Sequence, residues 1–246
     1  MRSWTIRVAA ILAILLIPIV VAAEAEKTVF DFKGTDGTNL KGTYYSPGEP
    51  GPAVLLVHQC NLDRSSWESL ASDLVAAGIH VLTFDLRGFG DSEGEPMTGA
   101  ESFRTLMQKA PGDVDAAYAY LMSQAGVDKS RVAAGGASCG VMMSAGLATR
   151  RPEIKTLVML SGPAGDEASS HIMATADLAV FGAAAEADSL TPGVHEVIKT
   201  TVEGSKNSSS TLKIYGGTEH GTPMFAKNPE LEPLVLEFLK SRLLSD

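Results

Sequence analysis

The chemistry of this chain concentrates on one serine set between two glycines. Arg131 to Gly140 reads RVAAGGASCG, so Gly136-Ala137-Ser138-Cys139-Gly140 has the form G-x-S-x-G. The apolar run Val132 to Gly135 before it is expected to be a strand, and Cys139 to Thr149 after it a helix. A hydroxyl on so tight a strand-to-helix turn stands clear of the sheet, and the flanking glycines let backbone pass without meeting a Cβ. The unpaired N–H groups of the helix's first turn then point at a centre where negative charge develops. The bland alternative is an ordinary Gly/Ser-rich turn. A strand on one side and a helix on the other count against it.

A serine hydroxyl is a weak nucleophile until a base takes its proton. His220, in Gly216-Gly217-Thr218-Glu219-His220-Gly221-Thr222, follows the last expected strand, Leu212 to Tyr215, and is the candidate base. His80 opens a strand, and His171 and His195 have no motif around them, so these read as surface or structural histidines. An imidazole in that role needs a carboxylate to hold its tautomer. The segment after the strand Asp177 to Gly182 supplies two, Asp188 and Glu186. Asp188 is taken as the acid, with Glu186 as the alternative that sits exposed on the loop.

The elements that must position these groups alternate along the chain. Lys27 to Lys33 and Leu40 to Tyr45 flank the turn-rich Gly34-Thr35-Asp36-Gly37-Thr38, as in an antiparallel hairpin. Ala53 to His58, Ile79 to Phe84, Val132 to Gly135, Thr156 to Leu160, Asp177 to Gly182 and Leu212 to Tyr215 read as further strands. Between and after them Ser65 to Ala77, Val114 to Ala125, Cys139 to Thr149 and Leu231 to Leu244 read as helices. The expected fold class is therefore α/β, a mostly parallel sheet of about eight strands covered by helices on both faces. No repeat or linker divides it, so one catalytic domain, 24–246, is expected. Gly162 to Thr175 is too short for a large lid domain. Asp91 to Lys109 is the other candidate cover for the site.

In this order the motifs resemble the α/β-hydrolase superfamily, nearest in layout to small lidless esterases of the dienelactone-hydrolase-like kind, over nearly all of the chain after its first residues. Asp85-Leu86-Arg87-Gly88-Phe89-Gly90-Asp91-Ser92-Glu93-Gly94 is similar to the family's D-x-R-G-x-G-x-S-x-G turn, which is usually structural, so Arg87 and Ser92 are given no catalytic role. Val57-His58-Gln59-Cys60 stands where many members have His-Gly-x, with Gln59 in place of glycine. Ser138, Asp188 and His220 follow the family's nucleophile–acid–base order. The resemblance implies that the backbone N–H groups of Cys60 and Cys139 are the oxyanion donors, and that catalysis needs no cofactor. Dienelactone-hydrolase relatives use a cysteine nucleophile where this chain has Ser138, so their substrates do not carry over. The implied activity is hydrolysis of an ester-type bond in a small molecule. The rivals are a serine peptidase of the prolyl-oligopeptidase type, which usually brings a gating domain, and a hydrolase-shaped binding protein.

The two cysteines, Cys60 and Cys139, show no metal-ligand spacing, so no metal is expected. As the two halves of an oxyanion hole they would be either a disulfide in an oxidising compartment or two small apolar pocket residues, and the second is the expectation here. Arg2 and Arg7 precede a charge-free run from Val8 to Ala23, which reads as a signal peptide cut after Ala23 or Ala25. The run is short for a spanning helix and is interrupted by Pro18, so no stable membrane span is expected after cleavage. The expected location is periplasmic or secreted. The net charge of −9 argues against a nucleic-acid partner. Asn207-Ser208-Ser209 fits the glycosylation acceptor pattern and is read as a flexible polar loop.

Overall fold

The computed structural model describes Met1 and residues 25–245. The expected export segment, apart from Met1, lies outside the described residues. Eight strands form one sheet: β1 (Glu26–Lys33), β2 (Asn39–Ser46), β3 (Gly51–Val57), β4 (His80–Phe84), β5 (Val127–Ala137), β6 (Ile154–Leu160), β7 (Ala179–Ala185) and β8 (Thr211–Tyr215). Their order is β1-β2-β4-β3-β5-β6-β7-β8. β1 and β2 form the expected hairpin, closed by Gly34 N–H donating to Thr38 O at 2.9 Å. β2 meets β4 antiparallel, and every later pairing is parallel.

Among the described residues the α-helices are α1 (Glu68–Ala76), α2 (Ala100–Ser123), α3 (Cys139–Arg150), α4 (Asp166–Ala174), α5 (Val194–Glu203), α6 (Met224–Lys227) and α7 (Leu231–Leu243). They cover both faces. Strand alternation sends Leu55 and Val57 to one face, against residues of α2, α3, α4 and α5. Val54 and Leu56 go to the other, against α1 and α7. All seven residues of β3 are buried, which is why that strand is apolar without alternation.

Three elements differ from expectation. α2 begins well before Val114 and takes in much of the segment expected to be a cover, because its interior Pro111 and the adjacent Gly112 hide a continuous helix from a sequence reading. α4 occupies part of the presumed loop after β6, and no separate lid domain is present among the described residues. α5 is rich in β-branched residues, poor helix formers, yet it buries Val194, Ile198, Thr201 and Val202 at helical spacing.

β3 and β5 are neighbours, while β4 lies on the other side of β3, so the chain reverses its winding direction between them. Open α/β sheets place ligands outside the carboxyl ends of strands at such a point. Cys60 and Cys139 lie there. Contrary to the expectation of two pocket residues they are joined in a disulfide, with Cα atoms 5.8 Å apart. The physical reason is register: Val57 sits opposite Gly136, so the residues just beyond each strand end are brought within bonding reach.

Buried His58 fixes the same strand end. The Leu86 N–H donates to its Nε2 at 2.9 Å, so the proton is on Nδ1, which donates to Gln59 O at 2.8 Å. His80 is likewise buried, with Nε2 donating to Glu49 O at 3.0 Å and Nδ1 accepting from the Tyr44 hydroxyl at 2.6 Å. Burial pushes both imidazoles below the ordinary value of 6.5. Their contribution to stability is therefore complete above pH 6.5 and is lost as the pH falls from there towards the lowered folded-state values. Proton NMR titration should find both imidazoles with midpoints below the ordinary value of 6.5. A His58 midpoint at or above 6.5 contradicts this assignment. The disulfide closes a sequence separation of 79 residues. Its reduction should therefore lower unfolding free energy by about 2–5 kcal/mol. A urea midpoint unmoved by reductant would speak against that role.

Candidate active site

Ser138 links the end of β5 to the start of α3 with φ 53° and ψ −123°, a conformation a side-chain-bearing residue seldom adopts. The turn is held on both sides. Its N–H donates to Leu160 O at 2.8 Å, and its carbonyl accepts the Val141 N–H at 2.9 Å. The motif's glycines are required by space rather than by torsion. A Cβ on Gly136 would fall on the Gly140 carbonyl, and a Cβ on Gly140 would fall on the carbonyls of Val57 and His58. The two glycines thus let α3 sit down on the ends of both β5 and β3.

His220 and Asp188 meet. The imidazole Nδ1 lies 2.8 Å from both carboxylate oxygens of Asp188. The carboxylate side chain is fully buried, and that of the histidine is 4% exposed. Two backbone N–H groups, from Leu190 at 3.0 Å and Thr191 at 2.8 Å, also donate to Asp188 Oδ1. These bonds fix the orientation of the carboxylate that faces the imidazole. The acceptor-only carboxylate places the proton on Nδ1 and leaves Nε2 as the basic nitrogen. Glu186 is exposed and makes no such contact; the structure does not bring it to the histidine.

The other candidates are also at the carboxyl ends of the strands. Cys60 follows β3 and Cys139 opens α3. As the first residue of a helix, Cys139 has no intrahelical acceptor for its N–H. Among the described residues no loop or side-chain acceptor takes the Cys60 N–H. The disulfide keeps these two backbone segments together. No group of three or more His, Cys, Asp or Glu side chains among the described residues is placed to hold a metal ion. None of the described helices is long and apolar enough to cross a membrane.

The D-x-R-G turn is structural. Asp85 is buried and accepts from the backbone N–H groups of Arg64 at 2.8 Å and Asp91 at 2.9 Å, besides pairing with the Arg64 guanidinium. Arg87 is held between Asp113 and Asp36, and these two bonded carboxylates keep its guanidinium charged more firmly than usual. A sequence reading registers Gln59 only as a departure from glycine. The structure buries it completely between the loop after β3 and the loop carrying His220. A polar residue at the end of an apolar strand, beside a histidine, was the available signal.

Comparison with known proteins agrees with this architecture. An esterase of Pyrococcus furiosus superposes with TM-score 0.71 at 18% identity, covering 89% of this chain and 92% of that one. A Thermus thermophilus protein, TT1662, also superposes at 0.71, with 14% identity over 90% of this chain and all of that one. Among curated sequences, an uncharacterised Mycobacterium tuberculosis protein is 38% identical over 119 residues, 48% of this chain and 39% of its own length. Thiohydrolase apmlB of Arthrinium phaeospermum is 32% identical over 132 residues, 52% of this chain and 40% of its own length. The match thus spans about two fifths of the length of these relatives. The family model described as serine aminopeptidase, S33 (Hydrolase_4) matches residues 48–185, more than half of the sequence. With that match and an eight-stranded sheet of this order, the chain belongs to the Hydrolase_4 family of α/β hydrolases.

Proposed function

We propose that this hydrolase is an exported serine enzyme that cleaves an ester-type bond through an acyl-enzyme on Ser138. The observation that carries the reading is the buried Asp188–His220 pair at the same carboxyl end of the parallel strands as a strained Ser138 turn. His220 Nε2 takes the Ser138 proton as Oγ attacks the carbonyl carbon. The carbonyl oxygen, now negative, is met by the N–H groups of Cys60 and Cys139. The tetrahedral intermediate collapses as His220 returns its proton to the leaving group. Water, deprotonated by the same imidazole, then attacks the acyl carbon and releases acid and free serine. Asp188 stays ionised throughout and stabilises the imidazolium.

Export is supported by the charge-free run after Arg7 and by a disulfide, which persists in oxidising compartments. Ester cleavage is supported by the likeness to proteins described as an esterase and a thiohydrolase. The family's description as a serine aminopeptidase favours a second reading, release of an amino-terminal residue from a peptide.

The test is hydrolysis of p-nitrophenyl esters of graded acyl length, a thioester and aminoacyl p-nitroanilides by the enzyme beside two variants. Ser138→Ala should lower kcat by more than about 10⁴-fold, and Asp188→Asn by roughly 10³–10⁴-fold, with a fluorophosphonate labelling wild type only. Turnover of the anilides in preference to every ester would favour the aminopeptidase. An inert wild type that also resists the fluorophosphonate would point to a binding protein. Cell fractionation tests export: uncleaved protein retained in the cytoplasm, with residues 1–23 attached, would contradict it.

A further inference from the structure

The carboxamide of Gln59 lies at the centre of four polar contacts. Oε1 accepts from the Thr222 N–H at 2.9 Å and from its hydroxyl at 3.3 Å. Nε2 donates to Asn61 Oδ1 at 2.7 Å and to the His220 carbonyl at 3.4 Å. The orientation of the amide is fixed by chemistry, since a backbone N–H only donates and a backbone carbonyl only accepts. Gln59, His220 and Thr222 are all buried, so the Thr222 N–H and the His220 carbonyl would lose a partner without it, whereas the exposed Asn61 could turn to water.

The loop opposite is shaped to receive this side chain. Gly221 has φ +67°, and a Cβ there would fall on Gln59 Oε1, so both torsion and space demand glycine between His220 and Thr222. The main chain of Gln59 is fixed as well, through its carbonyl, by His58 and in turn by the Leu86 N–H. The next residue, Cys60, is bonded to Cys139 beside Ser138. One short segment therefore connects three parts of the site. Its backbone carries an N–H of the oxyanion hole, its disulfide holds the nucleophile turn, and its carboxamide holds the residues on either side of Gly221.

We propose that Gln59 is a positioning residue that sets the height of the His220 loop relative to the oxyanion donors, so that base and donors keep one geometry through both halves of the reaction. This rests on the serine-hydrolase reading. A glycine at this position, as in many members of the superfamily, leaves the two loops without that link. Misplacing a catalytic group by about 1 Å costs on the order of 100-fold in rate, so a carboxamide of this reach is enough to matter.

The experiment compares Gln59→Leu and the gentler Gln59→Glu with wild type in three measurements: thermal unfolding, ester turnover per fluorophosphonate-titrated site, and the low-field proton NMR signal of the His220 Nδ1–H. Gln59→Leu should lose about 10- to 100-fold in kcat per titrated site with KM little changed, and its His220 proton should shift or broaden. Gln59→Glu keeps an acceptor for the Thr222 N–H and should fall between the two. If the leucine variant does not fold, the glutamate variant carries the test. Full kcat per site and an unmoved His220 proton, with only the melting temperature lowered, would make Gln59 a buried spacer and overturn the proposal. Should wild type prove inert while the variants still displace the His220 proton, the positioning stands and the reaction assignment falls.

Discussion

At the carboxyl ends of β3 and β5 two backbones approach until only glycine fits between them. Gly140 rests on the carbonyls of Val57 and His58, and Gly136 on the first turn of α3. The geometry around Ser138 follows from that approach. It forces the tight turn that puts Ser138 in a strained conformation, and it aims the start of α3 at the space above the sheet. It also brings the segment after β3 alongside, close enough for a disulfide. Protein interiors do not deform continuously, so a side chain inserted at either glycine would displace the whole helix.

The fold was largely legible because its signals are local. The hairpin announced itself by its turn residues, and the buried strands by short apolar runs between helical stretches. The Ser138 turn was legible for the same reason, since G-x-S-x-G is a steric necessity spelled out in adjacent residues. Asp188 could be separated from Glu186 only by where each carboxylate points, and the structure does so through two backbone N–H donors and burial. What escaped a sequence reading was either masked or long-range. Pro111 hid the length of α2, and the β-branched residues of α5 concealed its helical spacing. The disulfide and the Gln59 contacts join residues far apart in sequence, and nothing local encodes such distances.

The polar interior is arranged with economy around the same strand ends. His58 accepts one backbone proton and donates another, so an imidazole without catalytic placement acts as a bracket between the segments after β3 and β4. Asp85 and Arg64 secure the exit of β4, while Arg87 ties that turn to α2 through Asp113 and to the hairpin through Asp36. Removing one partner from such a buried pair leaves an uncompensated charge, so these groups constrain the geometry more than they add stability.

The disulfide also bears on how the chain reaches its folded state. With only two cysteines in the whole sequence there is a single intramolecular pairing, so oxidation has no incorrect isomer to pass through and no need of reshuffling. The competing product is a covalent pair of chains, formed while Cys60 and Cys139 are still apart. Assembly of the β3–β5 pairing before oxidation thus decides between the internal bond and a crosslink between chains, and a chain slow to form that pairing is lost to crosslinking rather than to misfolding.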